Sequence, residues 1–188
     1  MMLYPQKINA KKTNFILKMG ILISFLVGVG LVLINRFTTP DIRWAGYCNA
    51  GILYVWVTVL YALNKNINIA SHLFIQMISL SLLCVYFDIR LGFQAWSINL
   101  AIPMIVIISN TAMVILSIAS YNNYMRYAFF QLLIVLVSLV PIFLVYENLI
   151  NDKTLSIVAS GVSGLNLLMS FIFHFKDIKE EVIRKFHL

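Results

Sequence analysis

The sequence predicts an all-α fold, an integral membrane six-helix bundle with both termini in the cytoplasm. Three observations lead there. The 188 residues are 61% hydrophobic and 11% charged, against roughly 25% charged in an ordinary soluble domain. A compact domain of this length has too little interior to hide so much apolar surface, so hydrocarbon is the solvent that fits. Six windows approach the roughly 20 apolar residues that a helix needs to cross a bilayer. No alternating short strands are visible, and backbone polar groups in lipid must be satisfied within their own segment, which a helix achieves.

The elements follow in order. A basic segment, residues 1–14, precedes the first window, Phe15–Ile34. That window is too long for a signal peptide. It ends Leu31-Val32-Leu33-Ile34, followed by Asn35-Arg36 and no small-x-small cleavage pattern, so it reads as a span. Trp44–Leu63, Ser71–Phe87, Trp96–Ile118, Tyr127–Tyr146 and Leu155–Phe173 complete the spanning domain, 15–173. Pro103 and Pro141 fall inside the fourth and fifth windows, where each removes a helical hydrogen bond and frees a carbonyl. The connections are short and leave no room for a soluble domain. In the tail, 174–188, Phe175, Ile178, Val182 and Phe186 recur at helical spacing, and Glu180–Arg184 and Glu181–Lys185 are favourably ordered i,i+4 pairs. This amphipathic segment either extends the sixth span or lies on the inner leaflet; it anchors that span or docks a partner.

Charge sets the orientation. With both ends inside, Lys7, Lys11, Lys12, Lys18, Lys65, Arg126, Lys176, Lys179, Arg184 and Lys185 are cytoplasmic. Arg36, Arg43, Arg90 and Lys153 are outside. The net charge of +7 thus reflects topology, and the bases form no stripe of the kind that binds nucleic acid. Cys48 and Cys84 lie in apolar runs without CxxC spacing, which points to neither a disulfide framework nor a zinc site. The chain has no HExxH, GxSxG or nucleotide loop, no paired deep acids and no cluster of metal-ligating residues. The expectation is a protein without cofactor or metal, not an enzyme, resident in the cell membrane with the lipid bilayer as its first partner.

Two kinds of feature carry functional expectations. Small residues recur one turn apart: Gly20, Ser24 and Gly28 on the first span, Gly46 and Ala50 on the second, Ser160 and Gly164 on the sixth. Such rows let helices approach closely in lipid, either within the bundle or against another subunit. Polar residues also enter the spans: His72, Gln76, Asn99, Asn110, Thr111, Gln131 and Asn166. At membrane depth these turn toward the bundle or a wet cavity, where the amides either join helices or line a small pocket. His72 and Gln76 share a face of the third span near its cytoplasmic end, where a hydrated histidine is the simple reading.

The stretch YFDIRLGFQAW, Tyr86–Trp96, interrupts the apolar text. It reads as an outer reversal between spans three and four. Gly92 permits the turn, and Asp88 and Arg90 lie near water, where a pair contributes little. Tyr86, Phe93 and Trp96 join an outer aromatic belt with Tyr47 and Tyr146. The sharper expectation is an outward-facing pocket formed by Asp88, Arg90, Trp96 and Asn99, with Arg36, Asp41, Arg43 and Glu147 on the same surface.

The early Tyr4-Pro5 with Lys7, the RWAGY entry to span two (Arg43–Tyr47), AWSINLAIP (Ala95–Pro103) and the closing RKFHL (Arg184–Leu188) carry a resemblance over nearly the whole chain. The sequence resembles a family of uncharacterised six-span bacterial membrane proteins known mainly from gut Firmicutes. Many of these begin with a small zinc ribbon, whose cysteines are absent here, so no zinc role follows. The company such members keep, acyl-transfer or esterase-like proteins, implies an accessory role. In size and span number the chain also resembles the substrate-binding components of energy-coupling-factor importers, with Gly20, Ser24 and Gly28 standing where those dock their transport partner, although the usual alanine spacing is absent. The leading expectation is a non-enzymatic accessory subunit that binds a membrane partner through small-residue faces or the C-terminal tail. The alternative is a small-solute binding or transport component.

Overall fold

The computed structural model describes residues 10–63, 68–119, 124–146 and 153–186. Every element among them is helical: α1 (Ala10–Thr38), α2 (Trp44–Ala62), α3 (Ile69–Arg90), a π-helical turn (Ser97–Ala101) that leads into α4 (Ile102–Ala119), α5 (Tyr124–Val137), α6 (Val140–Tyr146) and α7 (Lys153–Phe186). Five stretches are long and apolar enough to cross a membrane: Asn14–Thr38, Trp44–Ala62, Ile69–Arg90, Ser97–Ala119 and Tyr127–Tyr146. The apolar part of α7, Lys153–Met169, is shorter at 17 residues, the lower end of the spanning range of about 17–25.

The chain divides into two compact units, Met1–Val57 and Thr58–Leu188. In the first, α1 and the first part of α2 run antiparallel. A Cβ on Gly20 would lie 3.0 Å from Cη2 of Trp56, and one on Gly28 would lie 2.7 Å from Oδ1 of Asn49. Asn49 Nδ2 donates to the Gly28 carbonyl at 3.3 Å, an approach that a side chain on residue 28 would obstruct. Thus two members of the first small-residue row face the next helix of the same chain.

In the second unit, Asn68 caps α3 by accepting from the Ala70 N–H at 3.2 Å. Its apolar core contains Ala70 and Met77 of α3, Ile105, Val106 and Met113 of α4, Ile134 of α5 and Ala159 of α7. Asn110 faces Ser138, and Ser117 faces Gln131, so the residue numbers rise on α4 as they fall on α5: the two helices are antiparallel.

The prolines shape two spans. The π-helical turn, with the Ile102 N–H bonded to the Ser97 carbonyl, widens the chain just ahead of Pro103. In a regular α-helix that ring would run into the carbonyl four residues back. The fifth window is not one continuous helix: α5 and α6 are separated at Ser138–Leu139, shortly before Pro141, which has no N–H to offer the Val137 carbonyl. The 173/174 boundary lies inside α7, which runs unbroken to Phe186.

Polarity is inverted relative to a soluble domain. Among the described residues, twelve polar or charged side chains are buried against nine apolar ones, while Phe15, Phe25, Leu53, Phe129, Leu165 and Ile172 are all more than 60% exposed. That distribution suits a bilayer, where apolar surface belongs outside and polar groups find partners inside.

Candidate functional site: the α3–α4 reversal and the buried amide chain

Asp88 sits in the last turn of α3 with 0% of its surface exposed. Its Oδ1 accepts from the Gln94 N–H at 2.9 Å. Its Oδ2 accepts from the Ser97 N–H at 3.1 Å and from Ser97 Oγ at 2.7 Å. One carboxylate therefore caps the start of the following helix from across the turn, satisfying N–H groups that have no intrahelical partner. Three positive φ values curl the chain between them: Gly92 at 95°, Phe93 at 52° and Ala95 at 60°. Glycine takes this conformation freely, but phenylalanine and alanine do so at a cost. The Phe93 N–H donates to the Asp88 carbonyl at 2.8 Å, which helps hold the curl.

This corrects the expectation of a water-exposed Asp88. The acid is inside, and Arg90 does not pair with it. Arg90 is exposed, with Cζ 5.8 Å from the centre of the Tyr86 ring. Two residues apart on the final turn of α3, the two side chains leave in different directions. Trp96 and Asn99 are half-buried beside the turn, and the Asn99 N–H donates to the Ala95 carbonyl at 3.0 Å. The structure thus gathers Asp88, Trp96 and Asn99 at one reversal and leaves Arg90 on its outside. Arg36, Asp41 and Arg43 are exposed. Glu147, Lys65 and the side chains of 174–188 lie outside the described residues.

Deeper in the bundle the amides form a directional chain. Gln131 Nε2 donates to Asn166 Oδ1 at 2.7 Å. Asn166 Nδ2 donates to Asn110 Oδ1 at 2.8 Å. Asn110 Nδ2 donates to Ser138 Oγ and to the Val106 carbonyl, each at 2.9 Å. Ser138 Oγ donates to the Ile134 carbonyl at 2.6 Å. Three helices and the α5–α6 break are tied together by groups that hydrocarbon could not solvate. Ser117 Oγ, 3.5 Å from Gln131 Oε1, lies at the far end. Asn110, Gln131 and Asn166 therefore join helices, as their depth suggested. Thr111 is exposed and its hydroxyl returns to the Ile107 carbonyl.

The histidine departs from expectation. His72 stacks on Tyr61, with ring centroids 6.0 Å apart, and its Nδ1 is buried without a hydrogen-bond partner. Gln76, one turn on, donates to Thr58 Oγ1 at 2.9 Å. The small residues behave unevenly. Ser24, Gly46 and Ala50 are half-buried, as is Ser160, whose hydroxyl donates to the Ser156 carbonyl. Gly164 is exposed, and a Cβ there would meet nothing within 4 Å.

Four polar residues escaped the sequence reading. Asn35 ties the α1–α2 turn, Ser97 is the second half of the Asp88 cap, and Ser138 marks the break before Pro141. Ser156 has a fully buried hydroxyl with no partner. A serine three residues before a proline was the available signal for Ser138; nothing local distinguished the others.

Helices that are apolar outside and bonded through amides inside define a polytopic, all-α membrane-type protein. The match to a family model over residues 4–188 makes it more particular: the chain belongs to a family of unknown function (DUF6320). No curated protein and no solved structure matches it.

Proposed function

We propose that the protein is a non-enzymatic, multi-pass accessory subunit of the cell membrane, with both termini cytoplasmic, acting through its helix faces on another membrane protein. The observation that supports this reading is the internal engagement of its deep polar groups. Asp88 is bonded to the Gln94 and Ser97 N–H groups, and Gln131, Asn166, Asn110 and Ser138 are bonded to one another. Held in that way, these groups stiffen a scaffold, while the outer faces carry the unassigned surface. Purification from native membranes in mild detergent, with mass spectrometry of what accompanies the protein, tests it. A stoichiometric membrane partner is the expected result; recovery of this chain with no other protein would overturn it.

One observation favours a second reading, a small-solute binding or transport component. The Ser156 hydroxyl is buried and unpartnered in the first turns of α7. Since α4 and α5 are antiparallel and α7 returns alongside them, α7 is parallel to α4. Asn166 meets Asn110, which sets Ser156 level with Leu100 in the π-helical turn. A hydroxyl-binding solute seated there would supply the absent partner. Native mass spectrometry of the purified protein detects such a solute, and an unliganded mass together with unchanged uptake after deletion would exclude it.

A further inference from the structure

The outer face of α7 continues further than the bundle does. The face turned into the bundle is fixed by Ser156, Ala159, Ser163 and Asn166, all buried. Continued at the same three-and-four spacing along the unbroken helix, that line passes through Ser170, His174, Asp177, Glu181 and Arg184, all polar. A second line, about a third of a turn round the helix, runs through Ile157, Gly161, Gly164 and Leu168, all exposed. A Cβ on either glycine would meet nothing within 4 Å. The same spacing carries this second line through Phe171, Phe175, Ile178 and Val182. The apolar stripe of the C-terminal segment therefore prolongs the uncovered face of α7 and not its packed one.

Length decides what can cover it. α7 has 34 residues, about 51 Å at 1.5 Å per residue, whereas the hydrocarbon layer is about 30 Å thick. The end of the helix stands in water, and without a break it cannot turn to lay its stripe on the headgroups. Alternating three- and four-residue spacing is the seam of a coiled coil, which a second helix covers. Two copies of this chain in one membrane hold α7 parallel and at the same depth, so each position meets its own counterpart. Gly161 and Gly164 then allow close approach inside the lipid, where small residues favour it. Positions 175, 178 and 182 bury apolar area in water, where burial is favourable. An unrelated protein would need a matching seam in the same register; a second copy supplies one by symmetry.

We propose that the chain forms a two-fold homodimer through this face of α7, a parallel seam from Gly161 and Gly164 in the membrane to Val182 beyond it. This goes beyond the accessory reading and does not depend on it. The two native cysteines, Cys48 and Cys84, are free, so Cys48→Ala/Cys84→Ala gives a clean background. Single cysteines are placed there at Phe175, Ile178 or Val182, and at His174, Asp177 or Glu181, and native membranes are treated with a short bismaleimide. Covalent dimers several-fold more abundant at the first three positions are expected. Equal or reversed yields, no adduct, or an adduct with the mass of another protein would overturn the proposal. Gly164→Leu, at a site with open space around it, gives the second measurement: light scattering in detergent shifts from dimer to monomer with helicity unchanged. A variant that stays dimeric, or a wild-type protein that is monomeric throughout, would also overturn it. Failure here leaves the co-purification test of the accessory reading intact.

Discussion

The α1–α2 and α3–α4 reversals solve one problem with different chemistry. In each, a single buried polar side chain in the last turn of one helix reaches the start of the next. At the first it is Asn35: Nδ2 donates to the Thr39 and Ile42 carbonyls at 2.8 and 2.6 Å, and Oδ1 accepts from the Ala45 N–H at 3.2 Å. At the second it is Asp88, which only accepts, from the N–H groups of Gln94 and Ser97 and the Ser97 hydroxyl. An amide can serve carbonyls and N–H groups together; an ionised carboxylate can serve donors alone. The backbone matches. Every positive φ among the described residues lies in the Asp88 turn, which directs N–H groups inward. The lesson is that the side chain and the hand of the turn are one specification.

The largest effect is expected at Asp88. Asp88→Ala removes the acceptor for three donors and the support for Phe93 and Ala95 in the left-handed region, so it should lower the melting temperature in detergent more than a substitution at Asn35, Asn166 or Gly28. Asp88→Asn should recover only part of that, because its NH2 group faces other donors. A wild-type melting curve for Asp88→Asn would erase the distinction between the two turns. Asn35→Asp, the reciprocal exchange, sets a carboxylate against the carbonyls of Thr39 and Ile42 and should cost about 2–3 kcal/mol. Urea or thermal unfolding in detergent measures it; a neutral outcome would show that the first turn tolerates an acceptor-only side chain.

Away from the turns the effects shrink. Asn166→Leu strands Gln131 Nε2 and Asn110 Oδ1 and should cost about 1–2 kcal/mol. Combined with Asn110→Leu it should be clearly less than additive, which a double-mutant cycle reads directly. Full additivity would mean that the amides act separately. Smallest is Gly28→Ala, at about 1 kcal/mol or less. Its Cβ displaces the flexible end of Asn49, the atom 2.7 Å away, and sacrifices the bond to the Gly28 carbonyl. A larger loss would show that α2 itself must move.

The spans were legible because hydropathy is a local property summed over a window, and the prolines announced where the fourth and fifth would deviate. The amides at 110, 131 and 166 could be seen to be deep, since depth follows from position within a span. Their pairing could not be seen, because it joins residues 56 positions apart. Asp88 misled for a similar reason. Beside Arg90 and a glycine it has the local look of a solvated turn, and its donors come into reach only when three successive backbone choices curl the chain back. His72 also looked hydrated from its place near a helix end, yet the Tyr61 ring that stacks on it belongs to another helix.

By itself the sequence determined the helices, their approximate limits and the solvent they suit, because each is set by the composition of about twenty neighbouring residues. Tertiary structure decided which polar groups face one another and which face of α7 stays uncovered. Those outcomes depend on the rotation of each helix about its axis and on the hand of each turn, and both are fixed only when the helices pack.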